Sequence, residues 1–485
     1  MPLKSEPKVV CIGAGPAGLT AAYQLCKDDI PVLVLEKHPN LVGGIARTEQ
    51  YKGYLFDIGG HRFFSKSKEI EDLWEEVLGE DFITRDRSSK IYYRKKFFSY
   101  PLRPFGALTK LGLIESAHCV LSYLYARIFP KRNPKNFEDW VTNKFGRRLF
   151  SIFFKTYTEK VWGMSCKEIS ADWAAQRIKG LSLSQAILAP LKRNKGKVIK
   201  SLISSFRYPR KGPGMMWEKT RDLINKSNGK VELGCKVTSL SFDRENKMWT
   251  VHFERNDRMY DSIKCEHVIS SAPIAEIVPS IDPKPEVSLR AQKLSYRDFI
   301  IVALITNQES FFEDQWLYIH DPSVTVGRIQ NFKSWSPELV PNTNTSCYGM
   351  EYFCFEHDKL WESSDQDLID MAKAELEEIG VAKKEDVIDG CVVRQEKAYP
   401  VYDEDYASHV EAIREELEKD FPGLHLVGRN GMHKYNNQDH AMMTALITAR
   451  NIAAGRKVQD VWLVNQDAAY LEESSLRLTP KKISE

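Results

Sequence analysis

The residues that could do chemistry are easiest to recognise near the start of the chain, where three glycines have the spacing G-x-G-x-x-G. Gly13, Gly15 and Gly18 follow the apolar stretch KVVCI, and a second apolar stretch ends at Glu36. In a β-turn-α-β unit with this spacing, the pyrophosphate of a dinucleotide lies at the helix N-terminus, and the carboxylate accepts hydrogen bonds from a ribose. Such spacing also occurs in glycine turns without a ligand, but here the strand, the helix and the acidic residue all agree. The pattern therefore predicts a bound dinucleotide.

A second segment that could present backbone amides to a ligand lies near the other end of the sequence. It reads GRNGMHKYNNQDHAMMTALITARNI and covers residues 428–452. A strand pattern ends at Gly428, and the polar run from Asn437 onward supplies helix-capping residues ahead of an apolar helix. The alternative is a capped helix without a ligand. Two segments far apart in the sequence therefore share a pattern suited to ligand binding.

The stretches between these segments predict which elements must position them. The patterns indicate a β-turn-α-β unit at 8–36, a mainly helical, aromatic-rich segment at 65–220, an antiparallel hairpin at 230–253, a buried strand at 265–273, and further strands at 295–356. We expect a discontinuous cofactor-binding domain at 1–65, 220–290 and 420–460, a helical substrate domain at 66–219, a sheet-rich substrate domain at 291–419, and a C-terminal tail at 461–485.

The composition excludes several classes of partner. Lys and Arg total 69 against 66 Asp and Glu among 485 residues, which gives no general reason to expect a nucleic acid or an anionic membrane as partner. Any anion should be held by a few placed arginines. The nine cysteines are scattered without C-x-x-C spacing, so we expect no metal site and a reducing, cytoplasmic location.

The longest apolar region, residues 112–129, raises the question of a membrane anchor. Glu115, His118 and Arg127 interrupt it, and it is too short to cross a bilayer. The sequence therefore favours a buried or interfacial helix and predicts no membrane span. The N-terminus leads directly into a strand pattern without the features of a signal peptide.

The residues after Glu36 indicate which dinucleotide is bound. Gly43 and Gly44 follow the acidic strand, and Gly60 and His61 follow the stretch YLFDIG. This order resembles FAD enzymes of the glutathione-reductase-type superfamily, in the branch of the amine oxidases, phytoene desaturases and UDP-galactopyranose mutases. The resemblance favours FAD over NAD and implies an α/β fold: a Rossmann-like FAD-binding domain with an inserted helical domain and a second, largely antiparallel sheet domain. It also implies that the late strand and helix return to complete the flavin site.

Within this branch, the chain is most similar in motif to UDP-galactopyranose mutases of the eukaryotic type. The final motif of that family is matched by Gly428, Arg429, Tyr435 and the run Asn437-Gln438-Asp439-His440, and its early histidine loop by GGHRFFS. The resemblance implies that the cofactor is bound by Gly13, Gly15, Gly18, Glu36, Gly43, Gly44, Gly60, His61, Val237, Gly428, Arg429, Asn437 and Gln438.

Further matches fall where the mutases bind substrate. In those enzymes two arginines, here Arg177 and Arg328, hold the diphosphate of a nucleotide sugar, while tyrosines close the pocket. The resemblance implies that the substrate is bound by Arg87, Tyr100, Arg103, Trp162, Arg177, Tyr318, Arg328, Tyr399 and Tyr435. Alternatives are structural ion pairs for the arginines and core positions for the aromatic residues. Arg103 and Thr158 depart from the family pattern at substrate-facing positions, so the base or the sugar can differ from UDP-galactose.

The resemblance implies a flavin-dependent isomerase that interconverts pyranose and furanose forms of a nucleotide sugar. Reduced FAD is the active form, its N5 is the nucleophile, and Arg177, Arg328 and His61 are the catalytic residues. NAD(P)H is a candidate reductant. Two alternatives stay open: an FAD-dependent oxidoreductase of the amine oxidase, protoporphyrinogen oxidase or desaturase class, and a flavoprotein in which FAD is structural only.

Overall fold

The computed structural model describes residues 6–100, 102, 104–169, 205–256 and 258–465. The strands are β1 Val9–Ile12, β2 Val32–Glu36, β3 Thr48–Tyr51, β4 Tyr54–Asp57, β5 Phe82–Asp86, β6 Ser89–Tyr93, β7 Lys96–Ser99, β8 Ser205–Pro209, β9 Gly229–Leu233, β10 Cys235–Asp243, β11 Met248–Arg255, β12 Tyr260–Cys265, β13 His267–Ser270, β14 Ile281–Asp282, β15 Tyr296–Thr306, β16 Trp316–Ile319, β17 Arg328–Asn331, β18 Ser346–Cys354, β19 Val387–Pro400 and β20 Leu424–Leu426. The helices are α1 Pro16–Lys27, α2 Lys68–Leu78, α3 Pro104–Leu111, α4 Leu113–Ile128, α5 Phe137–Phe145, α6 Arg147–Phe150, α7 Thr156–Trp162, α8 Gly214–Lys226, α9 Ile274–Ile277, α10 Ser288–Gln292, α11 Phe332–Trp335, α12 Lys359–Glu362, α13 Asp365–Ile379, α14 Tyr406–Asp420 and α15 Gln438–Ala453.

A five-stranded parallel sheet with the order β20-β13-β1-β2-β9 carries both ligand-binding patterns. The central strand β1 pairs with β2 on one side and with β13 on the other, so Val10 lies between Leu33 and Val268. Because helices and a second sheet cover both faces, β1 and β2 are buried along their whole length, which explains their continuous apolar sequences. The late strand β20 pairs with β13 and thereby brings the C-terminal motif to this sheet.

The core on one face of the parallel sheet is formed by helices, and that on the other face partly by a second sheet. Helices α1, α2, α8 and α15 share one apolar core, in which Leu19, Trp74, Trp217 and Met442 are buried. On the opposite face, the four-stranded sheet β12-β11-β10-β14 and helix α14 close a second core. The predicted hairpin at 230–253 needs one correction. The hairpin is β10-β11, whereas β9 pairs in parallel with β2.

A seven-stranded sheet with the order β19-β15-β18-β17-β16-β6-β7 forms the second large unit. Its pairs are antiparallel except for β16 with β6. Strands β6 and β7 come from the segment predicted to be mainly helical, and β5 and β8 of the same segment form a separate pair. Local sequence does not reveal this pairing because β6 joins a strand more than two hundred residues later. The predicted domain boundaries therefore remain a proposal, and these strands argue for assigning β6 and β7 to the sheet unit.

Helices α3 to α7 form a small unit around their own apolar core, which contains Phe137, Phe150 and Trp162. Helix α4 contributes Cys119 and Ala126 to the interior, while its large apolar side chains on the other face are exposed. Among the described residues, no helix is long and apolar enough to cross a membrane. The α/β fold class predicted from the sequence is confirmed. All nine cysteines are free thiols.

Candidate active site

The two glycine-containing patterns meet in one cavity of about 960 Å³. Helices α1 and α15 lie side by side in the same core, and residues at both N-terminal ends line this cavity. A cavity of this size is at the upper end of the range for small-molecule sites. The residues predicted for the site that line it are Gly13, Gly15, Glu36, Gly44, Gly60, His61, Arg87, Tyr100, Val237, Tyr318, Arg328, Tyr399, Gly428, Arg429, Tyr435, Asn437 and Gln438.

Other predicted residues lie behind this wall or outside the described part of the chain. Gly18 packs against the Gly13 carbonyl, and Gly43 donates its N–H to the Ala14 carbonyl, so both contact the turn after β1. The indole of Trp162 is buried, and its centroid lies 6.0 Å from that of the Tyr435 ring. Arg103 and Arg177 fall outside the described residues. Their roles, including the pairing of Arg177 with Arg328 across the cavity, stay predictions.

The turn after β1 brings three backbone segments together without side chains between them. Gly13 has a φ of +93°, and the Cβ of any residue at Gly18 would lie 1.9 Å from the Gly13 carbonyl oxygen. A Cβ at Gly15 would lie 3.9 Å from Gly44 Cα, so two bare backbones border the space ahead of α1. We call Gly13, Gly15 and Gly44 the glycine cradle. Its backbone N–H groups and the positive end of the α1 dipole suit a pyrophosphate.

Glu36 occupies the position expected of a ribose acceptor. Its Oε2 accepts a hydrogen bond of 2.6 Å from the Ala14 N–H, and its Oε1 accepts one of 2.8 Å from the His38 N–H. These bonds fix the carboxylate at the end of β2, beside the glycine cradle. Each carboxylate oxygen keeps a lone pair that can accept a hydroxyl hydrogen bond.

The N-terminal end of α15 is held by a reciprocal cap. The Asn437 side chain accepts a hydrogen bond from the His440 N–H, and His440 Nδ1 accepts one of 3.2 Å from the Asn437 N–H. Next to the cap, the Gln438 Oε1 is buried in the cavity wall without a hydrogen-bond partner among the described residues. Burial raises the pKa of Asp439, in the same turn, to about 7. The carboxyl group therefore carries little negative charge below neutral pH, which favours an anionic ligand at this helix end.

The loop between β20 and α15 is fixed by arginine and glycine. Gly428, with a φ of +78°, donates its N–H to Thr444 Oγ1 over 3.0 Å. A Cβ added at Gly428 would lie 3.0 Å from the Ala17 Cβ of α1, so this backbone packs closely on α1. Arg429 donates from Nε to the Asn436 carbonyl and from Nη1 to the Ala398 carbonyl, each over 3.0 Å. These bonds direct the Arg429 charge to the cavity wall.

His61 lies in the wall of the cavity, partly exposed to it. Burial, followed by the positive charges of Arg429 and Arg328, lowers the pKa of His61 to about 3. The imidazole is therefore neutral at pH 7, so it can donate from one nitrogen and accept at the other.

Arg328 presents a fixed positive charge to the cavity. Its Nε donates a short hydrogen bond to Oε2 of Glu351, a completely buried carboxylate that also accepts from Gln330 Nε2 at 2.6 Å. Burial alone lowers the pKa of Arg328, but the Glu351 charge more than offsets this, so the pKa lies well above its ordinary value. The Arg328 Nη2 is 3.5 Å from the hydroxyl oxygen of Tyr399 in the cavity wall.

Aromatic rings form the rest of this end of the cavity. Tyr399 stacks on Tyr435 with centroids 5.6 Å apart, and the Arg429 guanidinium lies 5.2 Å and 5.1 Å from these two ring centroids. A second group joins Tyr100 to Tyr318 at 4.7 Å, with Arg87 over the Tyr100 ring at 5.5 Å. Three arginines and four tyrosines predicted from distant segments are therefore brought to one cavity.

Sequence reasoning missed two residues that position this wall. Glu351 is the partner of Arg328, and its signal was a single charge within the apolar strand SCYGMEYFC. Lys160 of α7 donates through Nζ to the carbonyls of Ile319, Asp321 and Val326 at 3.4, 2.6 and 3.1 Å. It thereby ties α7 to the turn that connects β16 with β17. No local pattern distinguishes this lysine from a surface lysine.

The described residues contain no group of three or more His, Cys, Asp or Glu side chains able to hold a metal ion.

The family model of flavin-containing amine oxidoreductases matches residues 16–453. The chain belongs to this family. Membership of the flavin-containing amine oxidoreductases agrees with the glycine cradle and supports a flavin cofactor.

The chain is also similar in sequence to curated relatives over part of its length. The chain is 26% identical over 175 residues to dTDP-fucopyranose mutase of Escherichia coli, a match that covers 34% of the chain and 44% of that protein. The chain spans about half the length of the first two curated relatives that it matches, namely 51% and 44%. The match to dTDP-fucopyranose mutase therefore covers a minority of both chains.

Solved structures show the same fold over nearly the whole chain. The crystal structure of a reduced UDP-galactopyranose mutase superposes with a TM-score of 0.81 at 21% identity, covering 95% of this chain and 98% of that one. Putrescine oxidase bound to putrescine superposes with a TM-score of 0.60 at 16% identity, covering 93% and 99%. At these identities the likeness establishes a shared fold. The resemblance to UDP-galactopyranose mutases indicated by the motifs is supported by this shared fold together with the family match and the curated mutase relatives.

Proposed function

We propose that this flavoprotein is an isomerase that interconverts pyranose and furanose ring forms of a nucleoside-diphosphate sugar while holding a reduced FAD. The observation that carries the proposal is the joining of two features in one cavity. The glycine cradle suits a dinucleotide, and Arg328, fixed by Glu351, supplies a permanent positive charge among tyrosine hydroxyls. A diphosphate is strongly solvated, so it needs charge-assisted hydrogen bonds of this kind when it leaves water.

The residues present fit an FAD. Gly13, Gly15 and Gly44 line the cavity with bare backbone that a pyrophosphate can approach, and Glu36 is placed for a ribose. At the other end, the buried Gln438 Oε1 needs a hydrogen-bond donor, which a flavin N–H provides. When bound and reduced, a flavin supplies an electron-rich centre that can act as nucleophile.

The chain's own groups would bind the substrate and stabilise its leaving group. Arg328 would hold the diphosphate, and loss of one such contact raises a barrier by about 3 kcal/mol. Tyr399, next to Arg328 Nη2, would orient a phosphate oxygen or a sugar hydroxyl. The stacked pair of Tyr399 and Tyr435 would exclude water from the reacting carbon. Arg177, predicted to be the second diphosphate ligand, and Arg103 belong to this proposal on sequence grounds.

An anionic substrate is favoured over an amine by the charges of the cavity. Arg87, Arg328 and Arg429 all line it, and a cationic amine approaching these guanidinium groups would be repelled. A purely apolar substrate would remove water from the same three charged groups without supplying a hydrogen-bond acceptor in return. The likeness to dTDP-fucopyranose mutase extends the sugars to be tested from uridine to thymidine diphosphates.

A second candidate, an FAD-dependent oxidoreductase of the amine oxidase, protoporphyrinogen oxidase or desaturase class, is supported by the name of the family. The two candidates differ in electron flow. A mutase restores its reduced flavin in every turnover, whereas an oxidase transfers electrons from its substrate to the flavin and then to an acceptor. Flavin absorbance during turnover therefore separates them.

The deciding experiment incubates the dithionite-reduced protein anaerobically with UDP- and dTDP-hexoses and separates the products by chromatography. We expect a second ring form of one nucleotide sugar, with no change in flavin absorbance. Bleaching of the oxidised flavin by an amine or another organic substrate, without a new ring form in the panel, would establish the oxidoreductase instead. Replacing dithionite by NADH or NADPH in parallel tests NAD(P)H as the reductant.

A further inference from the structure

Helix α4 carries a continuous apolar stripe that faces solvent. The exposed fractions of its side chains are 92% for Leu113, 78% for Ile114 and 68% for Ile128. The remaining exposed apolar side chains on this stripe are Val120, Leu121, Leu124, Tyr125 and Phe129. We call these eight residues the α4 face. A contiguous apolar surface of this kind marks a site of interaction.

The spacing of the stripe shows that it is one side of an amphipathic helix. Positions 113, 117, 121, 124 and 128 recur every three or four residues, which places them on one side of a helix with 3.6 residues per turn. The opposite side packs into the helical unit through Cys119 and Ala126. The helix is therefore anchored by one side, and its apolar side is left uncovered by the described residues.

The charges around the α4 face have one sign. From Leu113 to Lys135 the only acidic residue is Glu115, and it accepts a hydrogen bond of 2.8 Å from Arg148 Nη2 within the helical unit. Three exposed basic residues, Lys131, Arg132 and Lys135, follow the apolar stripe at its C-terminal end, and the exposed Arg127 lies within its last turn. Lys131 pairs with Asp139. The near-neutral charge of the whole chain conceals this local excess.

We propose that the α4 face binds the surface of a lipid bilayer that contains anionic headgroups. The helix has 16 residues and is about 24 Å long, so it can lie along the interface with its apolar side among the acyl chains. The aromatic pair Tyr125 and Phe129, with centroids 5.2 Å apart, suits the headgroup level, and the basic residues beyond it meet lipid phosphates. Two signals, one apolar and one basic, give the stable association that either alone does not.

The alternative to a bilayer is a second copy of this chain, packed against the α4 face. Pairing two α4 faces would bury the stripes, but the face supplies no acidic side chain to meet the basic cluster of its partner. A bilayer rich in anionic lipid satisfies both the stripe and the cluster. The proposal uses no residue of the cavity, so it stands or falls separately from the proposed function.

The test is flotation of the full-length, flavin-loaded protein with vesicles of phosphatidylcholine alone or with phosphatidylglycerol. We expect binding to the anionic vesicles, weakened by salt. The double variants Leu124→Glu/Ile128→Glu and Arg132→Glu/Lys135→Glu should each lower the bound fraction at least about tenfold. Leu289→Glu, which changes an equally exposed leucine on α10, is the matched control and should bind like the parent protein.

Folding of each variant is checked by circular dichroism and by its flavin absorbance. Failure of the parent protein to bind anionic vesicles overturns the proposal. So does equal binding by the α4 variants. If light scattering shows a dimer that Leu124→Glu/Ile128→Glu converts to a monomer, while vesicles capture neither protein, the α4 face is an interface between copies of the chain.

Discussion

Arg328 and Glu351 form a pair in which one partner faces the cavity and the other is completely buried. The side chain of Arg328 is 18% exposed, whereas that of Glu351 is 0% exposed. Strand pairing explains the contact, because Arg328 on β17 lies directly opposite Glu351 on β18. The buried carboxylate fixes Nε and leaves the outer Nη edge for a ligand. The ion pair and the predicted ligand-binding role are thus compatible in one side chain.

Arg328→Ala should leave FAD bound and weaken the binding of a nucleoside diphosphate about 100-fold. The glycine cradle is built from other segments, so the cofactor keeps its contacts, while the diphosphate loses a charge-assisted partner worth about 3 kcal/mol. A fluorescence titration of the reduced protein measures the affinity. Arg221→Ala, which removes a half-buried arginine on α8 outside the cavity, is the control and should bind normally. An unchanged affinity in Arg328→Ala would exclude the assigned pocket.

Glu351→Gln should lower the free energy of unfolding by about 3 kcal/mol, because it leaves a buried guanidinium without its counter-charge. Denaturant unfolding of the flavin-loaded protein gives this value. Glu338→Gln breaks the exposed pair with Arg210 and should cost less than about 1 kcal/mol. Combining Glu351→Gln with Arg328→Met should recover part of the loss. Equal costs for the buried and the exposed pair would show that the Arg328 charge is not held by Glu351.

Lys160 should make the stability depend on pH in alkaline solution. Burial lowers the pKa of Lys160 from its ordinary value of 10.5 to about 8. Between these two values the unfolded chain binds more protons at this position than the folded chain, so the contribution to stability rises with pH. Relative to Lys160→Met, the free energy of unfolding of the parent protein should therefore increase by roughly 3 kcal/mol across this interval.

The control for this titration is Lys383→Met, which replaces a lysine with 71% of its side chain exposed. The same measurement on this variant shows how much pH dependence an exposed lysine substitution produces. A flat difference for Lys160→Met would mean that the ammonium is solvated and does not tie α7 to the turn between β16 and β17.

Gly15→Ala should give a folded protein that lacks flavin. The new Cβ meets no described protein atom closer than 3.9 Å, yet it adds a methyl group to the bare backbone of the cavity wall that a pyrophosphate would approach. The ratio of flavin to protein absorbance measures retention, and circular dichroism measures folding. Gly18→Ala differs, because its Cβ would collide with the Gly13 carbonyl and disturb the sheet itself. Full flavin occupancy in Gly15→Ala would place the cofactor elsewhere.

Features encoded by local sequence could be predicted. The glycine spacing, Glu36 at the end of a strand, and the capped start of α15 each depend on a few consecutive residues, and the structure contains all three. The order of the motifs also indicated which distant residues meet in the cavity. Family resemblance supplied that order, since periodicity alone does not connect residue 87 with residue 399.

Features that depend on long-range pairing could not be predicted. The continuation of β9 into the parallel sheet requires its partner β2, about 200 residues earlier, and a run of alternating residues there looks like part of the next hairpin. Glu351 and Lys160 have neighbours that only the folded chain provides. The exposure of the α4 face likewise depends on which side of the helix packs against the rest of the protein.

The pairing of β20 with β13 and the packing of α15 on α1 also determine when the site can come into existence. During synthesis the G-x-G-x-x-G segment leaves the ribosome before the wall that contains Arg429 and Gln438, which emerges only after more than 400 further residues. Cofactor capture is therefore a late event in biosynthesis. We expect N-terminal fragments that contain the entire first motif to accumulate as apoprotein.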